Sequence, residues 1–147
     1  MALRAKTVHD VVVLLAPTTS TGTTSTTGSS VRVPLPPNGM VFVLDVTAAA
    51  TDAADTLDVS VETRMDDGVG ETWHSVVHFT QVLGNGGAKQ YVAKITSAAT
   101  EAGYESGTAL AAGTVRNLIG DEWRVAWVAS EADGPASFTF SVTGCPM

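Results

Sequence analysis

The sequence predicts an all-β domain, a β-sandwich or jelly roll of about eight mostly antiparallel strands. Three observations predict it. Segments such as Leu57 to Met65 alternate apolar and polar residues with a period of two. Turn signals, Asp66-Asp67-Gly68 and Gly84-Asn85-Gly86-Gly87 among them, separate these segments. No stretch carries apolar residues at convincing helical spacing. Two packed sheets bury the alternating faces of both, which is why this pattern implies a sandwich. Nothing repeats at a fixed period, so propellers and solenoids are excluded.

Taken in order, Val8 to Ala16 reads as a first strand, a β-branched run stopped by Pro17. Residues 18–30 are a low-complexity Thr/Ser/Gly tract and read as a surface loop or an arm on a partner. Val31 to Leu35 runs into Pro34, Pro36 and Pro37, and so reads as an edge strand or a strand end. Met40 to Val46 is nearly continuous apolar sequence, expected in the middle of a sheet. Leu57, Val59, Val61, Thr63 and Met65 are expected to share one buried face. In Thr72 to Phe79, Trp73, Ser75, Val77 and Phe79 fall on one face and His74, Val76 and His78 on the other. Gln90 to Ile95, Glu122 to Ala129 and Ser137 to Val142 complete the strands, with an Ala/Gly-rich insertion at 96–113. The domain organisation expected is an N-terminal arm, 1–7, and one sandwich domain, 8–147.

Composition narrows the function. The net charge is −7 over 147 residues, and of eight Lys and Arg only Arg4 and Lys6 lie close together. That distribution opposes nucleic-acid binding, which needs clustered cations. Charged residues are only 16% of the chain, and a surface poor in charge suits contact with protein neighbours. Cys145 is the single cysteine, so no disulfide closes within the chain. The longest apolar run, Val11 to Ala16, is far short of the ~20 residues that span a bilayer. It also lacks the flanks of a signal peptide, with His9 and Asp10 directly before it.

No constellation points to catalysis, a cofactor or a metal. His74 and His78 would lie about 13 Å apart along one strand, too far to share an ion; they read as polar residues on a solvent or interface face. Asp66, Asp67 and Glu71 lack calcium-loop spacing and read as a turn. Asp52, Asp55 and Asp58 read as a strand entrance. The Gly84–Gly87 tract lacks the Gly-Lys-Ser/Thr ending of a phosphate loop. Trp73, Trp123, Trp127, Phe138 and Phe140 suit core positions better than a sugar platform, given their places in strands that alternate with polar residues. The expected site inventory is catalytic none, cofactor none and metal none.

The order of segments VFVLDVTAAA (41–50), LDVSVETRMDDGVGETWHSVVHFTQV (57–82), DEWRVAWVAS (121–130) and ASFTFSV (136–142) resembles small structural proteins of tailed-bacteriophage heads. The likeness is one of pattern and rests on the Asp-Gly turn before Trp73 and on Trp123-Arg124-Val125. It implies a non-catalytic decoration (cement) protein that binds the major capsid protein on the outside of the shell. It further implies self-association, a trimer by analogy, synthesis in the host cytoplasm, and no nucleic-acid or membrane partner. A tail or head–tail junction protein is the alternative, and a carbohydrate-binding module a further one. Segments 18–30 and 96–113 depart from the pattern and are expected to carry partner-specific contacts.

Overall fold

Strand β5 (Thr56–Arg64) shows how the fold is built. Its alternation buries Leu57, Val59, Val61 and Thr63 and turns Asp58, Ser60, Glu62 and Arg64 to the other face. Met65, expected to continue the buried set, lies past the strand end and is 68% exposed. The computed structural model describes residues 11–33, 38–65, 72–132 and 136–147. The arm at 1–7, the proline cluster and the hairpin acids Asp66, Asp67 and Glu71 lie outside the described residues.

Two antiparallel sheets form the sandwich. In the four-stranded sheet, β1 (Val12–Thr21) pairs with β11 (Ser137–Pro146). Next comes β4 (Gly39–Ala48), and then β8 (Lys89–Thr96) at the far edge. The seven-stranded sheet is built on β5 and β10 (Glu122–Ser130). Beside β10 lie β2 (Thr24–Thr27) and β3 (Val31–Arg32). Beside β5 lie β6 (His74–His78) and β7 (Val82–Leu83), and β9 (Thr114–Val115) closes the β6 edge. The core between the sheets joins Phe42, Leu44, Phe138 and Phe140 to Val59, Val61, Trp123 and Val125, all buried. The Phe42 and Trp123 rings meet across it with centroids 5.6 Å apart, as do those of Trp127 and Phe140. Such tilted and edge-on contacts are those aromatic pairs prefer. No helix among the described residues is long and apolar enough to cross a membrane.

The chain departs from the sequence expectation in three places. Pro17 does not stop β1. The strand runs on to Thr21, and Pro17 sits inside the register shift between Leu15 and Thr18, on an edge strand where its missing N–H costs no ladder bond. Residues 18–30 are not a loop: Thr18–Thr21 pairs with Phe140–Ser137 and Thr24–Thr27 with Ala129–Ala126. Threonine is β-branched and favours extended backbone, so a Thr-rich tract needs only two partner strands to pair. Between the halves, Gly22 at φ 74° turns the chain from one sheet to the other, a conformation that glycine adopts at no steric cost.

The third departure lies in β6. Its register with β5 slips between Val61↔Val77 and Glu62↔Ser75, leaving Val76 as an extra residue. A bulge reverses the facing of what precedes it. Val76 and Val77 are therefore both buried, and Trp73 is turned away from the core.

Candidate functional site

The outer face of the seven-stranded sheet carries most of the polar chemistry. Outward positions of β5 and β10 stand opposite one another, Arg64 to Glu122 and Glu62 to Arg124. Both pairs close as ion pairs, at 2.7 Å and 2.8 Å. Glu122 also lies 3.6 Å from Arg32, whose other guanidinium nitrogen meets Asp121 at 3.0 Å. The guanidinium carbons of Arg64 and Arg124 stand 4.6 Å and 4.4 Å from the Trp73 ring centroid. Trp73 is thus an outer-face residue held by two cations, where the sequence reading put it in the core. Its displacement follows from the β6 bulge.

A shallow groove of 580 Å³ follows this face, lined by Asp58, Ser60, Glu62, His78, Arg124 and Trp127, with Ser25–Thr27 along one wall. Its charged groups are occupied by one another. Asp58 accepts from Gln81 at 2.9 Å and contacts His78 Nε2 at 3.2 Å. Glu62 holds Arg124. Trp127, expected buried, is half-buried at the rim and still reaches Phe140.

The two histidines, expected to be polar face residues, are anchors for the 96–113 insertion. His74 Nδ1 lies 2.9 Å from the Tyr104 hydroxyl, and the rings meet edge-on at 5.6 Å. His78 Nδ1 lies 2.7 Å from the Leu110 carbonyl oxygen. Arg116 completes the attachment: it is buried, donates to the Ser75 and Thr108 carbonyls, and stacks 3.9 Å from the Tyr104 centroid. The sequence offered no sign of Arg116, because its partners are backbone carbonyls from distant segments.

The acidic candidates serve the loops. Asp52 Oδ1 accepts from the Ala54 N–H, and Asp55, only 2% exposed, accepts from the Ala132 N–H at 2.9 Å. These contacts fix a turn and join it to a second loop. Gly84–Gly86 forms a single 3-10 turn between β7 and β8. Among the described residues no group of three or more His, Cys, Asp or Glu is placed to hold a metal ion.

The outer face of the four-stranded sheet is different in kind. Across its strands run the rows Val13–Thr143–Val43–Val92 and Cys145–Val41–Lys94. A third row, Ser141–Asp45–Gln90, follows. Val92 is 66% exposed and Val13 54%.

These features define a two-sheet antiparallel β-sandwich. No family model and no curated protein matches the chain. Among solved structures, a chain in "Structure of infectious bursal disease virus Gt strain" is similar over 93% of this chain, with a TM-score of 0.57 and 10% sequence identity. This chain spans about a third of that one, 32% of its length. At that identity the likeness is one of fold.

Proposed function

We propose that the chain is a non-catalytic virion structural protein, a decoration (cement) protein bound to the outer surface of a bacteriophage head. The observation that carries this reading is the fold likeness, in which nearly the whole chain matches one part of a chain from a virus structure. The net charge of −7 favours the outside of the shell, away from packaged DNA. A protein that binds only the assembled shell stabilises it by mass action, and the major capsid protein is the partner this role requires. The test is to add the purified chain to heads that lack it. Saturable binding with a raised temperature of DNA release supports the role; absence of binding refutes it.

Placement at the tail or the head–tail junction is the second reading, and copy number per particle separates the two. A carbohydrate platform loses support from the aromatic residues. Trp123, Phe138 and Phe140 are buried, and guanidinium groups stand over Trp73.

A further inference from the structure

We propose that the outer face of the four-stranded sheet is the interface between two copies of this chain. An antiparallel sheet with one solvated face normally presents polar side chains there. The seven-stranded sheet does so, with its Arg64–Glu122 and Glu62–Arg124 ladder. The four-stranded sheet presents three valines and one threonine, Val13, Thr143, Val43 and Val92, in one row across all four strands, beside the polar row Ser141–Asp45–Gln90. Val41 and Cys145 extend the band by a second row. A largely apolar band with Val13 and Val92 exposed on it suits a site of association.

The charges on this face point to a second copy as the occupant. Among the described outward positions of its strands only two side chains are charged, Asp45 on β4 and Lys94 on β8. They flank the Val43–Val92 row on opposite sides: Asp45 stands in the row of Gln90 and Lys94 in the row of Val41. Four residues of strand, about 13 Å, keep them from reaching each other within the chain. An isologous contact repeats one patch on both partners, so residue i meets j and j meets i. A two-fold rotation about an axis lying roughly along the Val43–Val92 row brings Asp45 of each copy over Lys94 of the other. The valine rows then close against each other as two sheets do in a sandwich. The proposed pair is two-fold where the analogy implies a trimer, and the proposal concerns the isolated chain whether or not it binds a phage head.

Sedimentation equilibrium of the full chain tests it. The expected mass is twice 15.1 kDa. Val92→Glu, at an exposed position, should weaken the dimer by about a hundredfold or more. Asp45→Lys and Lys94→Asp should each weaken it, and the double exchange should restore it. Val128→Glu, on the other sheet's outer face, should leave it unchanged. A monomer at about 100 μM, an oligomer indifferent to Val92→Glu, or a double exchange that fails to restore association overturns the proposal. A monomer whose binding to heads is abolished by Val92→Glu would assign the face to the shell, and overturns it equally.

Discussion

His78 Nε2 stands 3.2 Å from Asp58 Oδ1, while the other ring nitrogen stands 2.7 Å from the Leu110 carbonyl oxygen. A carbonyl only accepts, so Nδ1 carries a hydrogen. One side chain thus joins β5, β6 and the 96–113 insertion. Replacing His78 with Ala leaves the Leu110 carbonyl without its donor and removes the ring from beside Asp58, at a cost of about 1–3 kcal/mol. The loss should be local. Amide exchange across residues 104–113 should speed up while the strands β5 and β10 stay protected. Equal acceleration everywhere would show that the insertion is part of the global folding unit.

The first two tryptophans of the sequence, Trp73 and Trp123, should differ sharply. Trp123 is fully buried against Phe42, so Trp123→Ala should cost about 3–5 kcal/mol. Trp73 lies on the outer face and gives up chiefly its contacts with Arg64 and Arg124, so Trp73→Ala should cost about 1–2 kcal/mol. Urea denaturation of both variants measures the contrast. Equal losses would mean that the Val76 bulge is absent in solution and that Trp73 packs inward.

Chelator and reductant should leave the melting temperature unchanged. Asp52 and Asp55 are bound to backbone N–H groups, and Cys145 has no second cysteine to pair with. A fall of several degrees with chelator alone would reveal a cation held by the acidic turns.

Much of this fold is legible in the sequence, and the reasons for the misses are physical. The alternation in Leu57–Thr63 and Phe138–Val142 identified strands and faces because each strand has one buried side for its whole length. Residues 18–27 read as a loop because their side chains bury little. Their pairing is supplied by Phe138, Phe140 and the β10 backbone, from the far end of the sequence. The single-residue bulge at Val76 reversed the facing of Trp73, and no local signal announces a bulge. The site features depend on such distant partners too. Neither His78–Leu110 nor Arg116–Ser75 is visible until the insertion is folded over β6. The apolar outer face of the four-stranded sheet was equally hidden, since it emerges only when the register aligns Val13, Val43 and Val92.

Under the proposed function this sandwich is a building part of a virion, placed outside the shell. Electron cryo-microscopy of intact particles that contain the chain tests it most directly. Density for the sandwich should repeat over the outer surface of the head at equivalent lattice positions. A single ring at the head–tail junction, or density confined to the tail, would contradict it.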